Sequence, residues 1–170
     1  MFALEMLVAY PAQGVGKIEG IDRREVGGVA CDFYIVRILA NNITLMVPVQ
    51  SAAAAGLRQL VSVKAARQIM DDLYGSLEEA VCTGQNWNRR FREYTRLLKS
   101  PDLREVAKVL RELLLIGRSK DLSFGERRLL EQAMNLVSGE LSEVLDTSES
   151  DLREDLLARY APPMAEADAG

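Results

Sequence analysis

Hydrophobic and polar positions follow different rules on either side of Gly56. From Met6 to Val49 the apolar residues come in short β-branched and aromatic runs cut by turn residues: MLVAYP, Ala12-Gln13-Gly14, VGKIEGI, Gly27-Gly28, ACDFYIVRIL, Asn41-Asn42 and ITLMVPV. Runs of this kind predict four or five short antiparallel strands. Gly and Asn tolerate a positive φ, so Gly27-Gly28 and Asn41-Asn42 are expected to be two-residue hairpin turns. A sheet of about 50 residues with strands this short has to curl to enclose a core, which points to an SH3- or Tudor-like barrel. Pro48 has no N–H to give to a ladder, so the last run belongs at an edge or a strand end.

Beyond Gly56 every signal is helical. Ser62 can cap a helix whose apolar positions Ala66, Ile69, Met70 and Leu73 recur at spacings of three and four, ending near Gly75. Thr83-Gly84-Gln85-Asn86 offers a loop and an N-cap before WNRRFREYTRLLKS. Ser100-Pro101-Asp102 stops that helix and starts another, with Pro suited to a first helical turn and Asp to the positive end of the dipole. This third helix buries Val106, Val109, Leu110, Leu113 and Leu114. Ser123 and Glu126 form a capping-box pair ahead of Leu129, Leu130, Ala133, Leu136, Val137 and Leu141, and a last short helix runs from about Ser150 to Tyr160. The expected fold class is therefore α+β in two domains. An N-terminal small SH3/Tudor-like β-barrel occupies residues 1–58, and a C-terminal compact all-α domain of about five helices occupies 59–160. Residues 161–170 form a flexible tail.

Charge sharpens this division. Residues 1–60 are neutral, 61–120 carry a net +4 and 121–170 a net −8, so the overall −4 hides a basic middle. A dipolar surface is the ordinary reason for such asymmetry, and a footprint for a polyanion is the other. The chain contains no histidine, which excludes Ser-His and Cys-His dyads, imidazole general bases and His-containing zinc sites. Cys31 and Cys82 are too far apart for a CxxC pair and too few for a disulfide framework, which fits a reducing cytoplasm and two inert thiols. No apolar run approaches a membrane span, and Glu5 stands where a signal peptide would be basic, so neither export nor an anchor is expected.

The second helix carries the candidate chemistry. At 100° per residue Trp87, Phe91, Tyr94 and Leu98 fall on one side, and Arg89, Arg92, Arg96 and Lys99 on the other. An aromatic stripe at helical spacing is more often core than contact surface. Trp87, however, is the first aromatic after the cap, where a side chain tilts back beyond the helix N-terminus, and Arg90 neighbours it on the wheel. An aromatic ring with guanidinium groups around it can stack on a base and neutralise adjacent phosphates. Gly14-Val15-Gly16 opens no helix and is read as a strand turn, not a phosphate loop. Asp151, Glu154 and Asp155 read as a solvated helix face, so no metal site and no cofactor are assigned. Glu78 and Glu79, the best carboxylate pair for an enzyme, point about 100° apart on a helix and do not converge. The expectation is no enzyme and no small-molecule substrate; a stand-alone RNA-binding module of the translation or ribosome machinery is the alternative.

Six ordered pieces of sequence also carry a family resemblance. They are Tyr10-Pro11 with Gly14-Val15-Gly16; Tyr34-Ile35-Val36; Met46-Val47-Pro48-Val49 with Gly56-Leu57-Arg58; Asn86-Trp87-Asn88-Arg89-Arg90; Val106-Ala107-Lys108-Val109; and Leu122-Ser123-Phe124-Gly125-Glu126-Arg127. Over residues 2 to about 146 the chain resembles the CarD/CdnL bacterial transcription regulators. The resemblance implies a Tudor-like domain that binds the RNA polymerase β subunit and a helical domain that contacts promoter DNA without strict sequence preference. Trp87 matches the family tryptophan that wedges into the minor groove at the upstream edge of the melted promoter, and Arg89, Arg90 and Arg92 match positions facing phosphates. The polymerase contact would fall on Thr44, Leu45, Met46 and Val47, with Arg23 or Arg24 beside it. This chain has Glu5-Met6 where many members have Gly-Asp, and Met46 where several have Arg.

Overall fold

The computed structural model describes residues 1–78 and 86–163. Five strands come first: β1 (Leu7–Tyr10), β2 (Gly14–Val26), β3 (Val29–Ile38), β4 (Thr44–Pro48) and β5 (Arg58–Gln59). Five helices follow: α1 (Val63–Leu73), α2 (Trp87–Leu98), α3 (Leu103–Ser119), α4 (Phe124–Leu145) and α5 (Glu149–Arg159). Glu79, Cys82, the Thr83–Gln85 part of the expected loop and tail residues 164–170 lie outside the described residues.

The strands form one antiparallel sheet in the order β4-β3-β2-β1-β5. It is an open sheet, not the closed barrel expected from the sequence: among the described residues no ladder joins β4 to β5. β5 is two residues long and pairs only with β1, too short to carry the sheet round. The open end is plugged instead by the turn after β4, which contributes Ala52 and Leu57 to a core with Val8, Ile18, Tyr34, Val36, Ile38 and Val47. The two-residue strand also interrupts a stretch that reads as helical from the sequence, because its pairing comes from distant β1 and leaves no local periodicity.

Gly27 and Gly28 take φ of 59° and 81° between the paired residues Val26 and Val29, a two-residue turn whose φ values suit glycine. The expected tight turn at Asn41-Asn42 is longer. β3 ends at Ile38 and β4 starts at Thr44, Asn42 alone takes the left-handed conformation at φ 57°, and the Ile38 N–H donates to the Ile43 carbonyl.

The helices build a separate core around Leu110, Leu113, Ala133, Val137, Leu141 and Leu156, all fully buried. Each such Leu or Val side chain contributes about 1.5–3 kcal/mol of transfer free energy. Caps set the boundaries. Ser62, Asn86, Asp102, Ser123 and Ser148 each accept a backbone N–H of their own helix, so Pro101 precedes the cap of α3 and does not occupy its first turn. Ser123 and Glu126 complete a reciprocal capping box. At the other end of the bundle Arg159 donates to the carbonyls of Tyr74 and Gly75, tying α5 to the end of α1.

A polar joint ties the two cores together. Glu140, only 2% exposed, lies on α4 and accepts both terminal guanidinium nitrogens of Arg58, at 2.8 and 2.9 Å, and the Val61 N–H at 2.9 Å. Arg58 also donates to the Pro101 carbonyl. The connection between β5 and α1 is thereby held to the middle of the helical bundle.

Candidate nucleic-acid interface

Helix α2 starts from Asn86, whose side-chain oxygen accepts the Asn88 N–H. Its aromatic stripe divides along its length. Tyr94 and Leu98 are buried in the helical core, while Phe91 is 41% exposed and Trp87 half-buried. Burial pushes the Tyr94 phenol above its usual range, and the neighbouring Glu112 carboxylate adds to the rise against the opposing Arg90. Trp87 is neither wholly core nor free. Its ring lies 5.6 Å from the Phe91 ring at 56°, and it rests on Gly125, where a Cβ would stand 3.1 Å from Cζ2. Glycine at the second residue of α4 is what lets the ring lie down on that helix.

The four arginines expected to face phosphates occupy three different situations. Arg89 and Arg92 are exposed and make no ion pair among the described residues. Arg96 is bound to Glu93 one turn back, and their hydrogen bond holds the Glu93 carboxyl below its usual value and raises the Arg96 guanidinium. Arg90 turns inward: its Cζ stands 5.6 Å from the centroid of the Trp87 ring, and its Nε and Nη1 are buried without hydrogen-bond partners. The cation there is held by the ring face. Its spacing of three from Trp87 was the sequence signal for this, since residues three apart are neighbours on a helix.

The β4 segment is an edge strand, paired on one side with β3. Its residues alternate. Leu45 and Val47 stand opposite Val36 and Tyr34 and pack into the sheet core, whereas Thr44 and Met46 face outward, Met46 opposite Ile35. Arg23 and Arg24 lie farther out on the β2–β3 hairpin, beyond the reach of β4 pairing. There Arg23 is paired with Asp32 at 3.0 Å and Arg24 with Asp22 at 2.9 Å, all but the partly buried Asp22 exposed.

Comparison with known proteins bears on both regions. Residues 2–61 match the model of the CarD-like/TRCF RID domain, and residues 74–157 match that of the CarD C-terminal domain. The chain belongs to the CarD/CdnL family. It is 24% identical over 153 residues, 90% of this chain and 98% of the relative, to YdeB of Bacillus subtilis (strain 168), which is named as a candidate transcription factor. The solved structure of CdnLNt from Myxococcus xanthus is 39% identical and covers 36% of this chain and 87% of its own, with a TM-score of 0.32.

CarD/CdnL membership supports a role in transcription regulation. It also places the tryptophan helix within one family module and the edge strand within the other. No described helix is long and apolar enough to cross a membrane. One surface residue of this CarD/CdnL chain stands outside the expected set. Phe124, first residue of α4, is 82% exposed and belongs to neither core. The signal was in the sequence: the Ser123–Glu126 capping box fixes residue 124 at the first helical position, off the inward face begun by Leu129.

Proposed function

We propose that this chain holds RNA polymerase and promoter DNA at once and stabilises the open complex. The edge strand Thr44–Val47 docks on the β subunit by strand addition, in which backbone hydrogen bonds give attachment and outward Met46 gives selectivity. Arg23 and Arg24 serve the same partner from the adjoining hairpin. Residues 1–58 form the polymerase-facing domain and 59–160 the DNA-facing one. The N-terminal half of α2 meets the DNA at the upstream edge of the bubble.

The observation that carries the reading is the position of Trp87, a large ring partly at the surface, braced by Arg90 beneath it and Gly125 behind it, with unpaired Arg89 and Arg92 on the same helix. Arg89 and Arg92 neutralise phosphates, Arg96 does so once it leaves Glu93, and Arg90 acts through the ring. A contact made only with unstacked bases shifts the equilibrium toward the melted promoter without any covalent chemistry. Phosphate contacts add affinity that is independent of sequence and sensitive to salt.

The test is capture of RNA polymerase from cell extract together with open-complex lifetime on a purified promoter. Met46→Asp puts a charge on an outward side chain, so the fold is retained and β-subunit capture is lost. Recovery of ribosomes instead of polymerase would replace this reading with the RNA-binding one.

A further inference from the structure

The first turn of α4 presents an aromatic side chain that the α2 reading leaves unused. Among the described residues only Met1 is a more exposed large apolar side chain than Phe124, at 82%. A single exposed apolar residue is ordinary. Phe124 is not isolated, because its chain neighbour Gly125 is the floor on which the Trp87 ring rests, and Trp87 in turn touches the 41% exposed Phe91. Three aromatic residues therefore belong to one surface region built from two helices.

Phe124 is also held firmly for a residue that packs against no core. Ser123 accepts the Glu126 N–H, Glu126 accepts the Ser123 N–H at 3.1 Å, and Lys120 donates to the same carboxylate at 3.2 Å. The backbone on both sides of the ring is thus fixed by a closed cap. A side chain at the first helical position leans past the helix N-terminus, away from the body of α4. The cap itself does not need the ring, since a hydrophobic staple would use the residue before the cap and the fourth helical residue, here Leu122 and Arg127.

Charge around the ring selects the occupant. Arg127 and Arg128 follow one turn on, both exposed and without an ion pair among the described residues. An apolar ring followed one turn on by two unpaired guanidinium groups suits a polyanion that also offers flat apolar faces, which describes nucleic acid with unstacked bases.

We infer that Phe124 is a second aromatic contact to the promoter, taking the face of an unpaired base or its deoxyribose beside the one met by Trp87, so that the DNA surface spans α2 and α4. This rests on the proposed DNA contact of Trp87. The cap fixes the backbone at Phe124 before binding, so only the side-chain rotamer is left to order when the base arrives.

The experiment compares full-length wild type, Phe124→Ala, Phe124→Tyr and Trp87→Ala for open-complex lifetime after competitor challenge, with RNA polymerase and a promoter carrying 2-aminopurine at the upstream edge of the bubble. Thermal unfolding of Phe124→Ala should match wild type, because the ring buries almost nothing. Its open-complex lifetime should fall at least about five-fold, the lower end of one lost stacking contact, and Phe124→Tyr should restore it. A benzoylphenylalanine at position 124 should crosslink to promoter DNA. An unchanged lifetime in Phe124→Ala alongside a shortened one in Trp87→Ala overturns this inference and leaves the Trp87 reading intact. Unchanged lifetimes in both variants remove the underlying reading, and a crosslink to polymerase protein alone reassigns the ring to a protein contact.

Discussion

Trp87 is attached to the protein through Gly125, Phe91 and the Arg90 cation, and by its partial burial against the helical core. Truncation should therefore cost less than the roughly 3–5 kcal/mol of a fully buried tryptophan, about 1–2 kcal/mol, part of it from the Arg90 nitrogens left without the ring. Trp87→Ala is expected to melt a few degrees early, keep its far-ultraviolet circular dichroism and shorten open-complex lifetime; an unfolded variant would mark the ring as structural. Arg89 and Arg92, exposed and unpaired, should each neutralise about one phosphate. Replacing both with Ala should lower the log-log salt slope of DNA binding by about two units. Adding Arg96→Ala should change it less, because that guanidinium already has Glu93. At this scale the sequence showed which residue types share the helix but not their burial, since the wheel cannot say how far along α2 the neighbouring helices reach. Tyr94 and Leu98 meet them fully, and Phe91 does not.

Caps decide the elements more than propensity does, and the cap of α4 gives a pH-dependent handle. Glu126 is buried, which pushes its carboxyl up, yet hydrogen bonds from the Ser123 N–H and Lys120 outweigh that and hold it below the usual value. A carboxyl lowered in the folded state stabilises above its unfolded pKa of about 4.3 and loses that contribution as pH falls through the folded value. Glu126→Gln should therefore melt below wild type at neutral pH, with the gap closing as the pH is lowered beneath the usual carboxylate range; thermal unfolding at stepped pH measures it. Ser123→Ala removes the other half of the box and should cost about 1 kcal/mol. The element order was legible because caps and periodicity are local signals, as at Ser62, Ser123 and the Gly27-Gly28 turn. What was not legible depended on partners far along the chain: β5 exists only through β1, and the failure of the sheet to close follows from how short β5 is.

At the level of the whole molecule, Arg58 and Glu140 bring together residues 82 positions apart in the chain. Glu140 is almost wholly buried, with side-chain exposure of 3% against 26% for Arg58, so removing one partner leaves a charge that water reaches poorly. Glu140→Ala should cost about 3 kcal/mol, the low end for a buried pair because Arg58 keeps some solvent. Its signature should be specific: a single unfolding transition in wild type resolving into two in the variant, with the helical signal and the Tyr34 environment melting apart. One transition shifted as a whole would instead mean that other contacts keep the two cores coupled. Nothing in the sequence marked this pair, since a lone Arg after a strand and a lone Glu inside a helix have no pattern in common. Its consequence concerns distance. A loose tether would let the aromatic surface search a sphere around a docked sheet, at an effective concentration diluted over that volume. A stiff joint concentrates the surface at one offset from the docking point and nearly abolishes it elsewhere. On the function proposed above, a molecule built this way would measure position along the template as a fixed-span caliper does, and would select its site by where the duplex opens relative to the enzyme, whatever bases lie there.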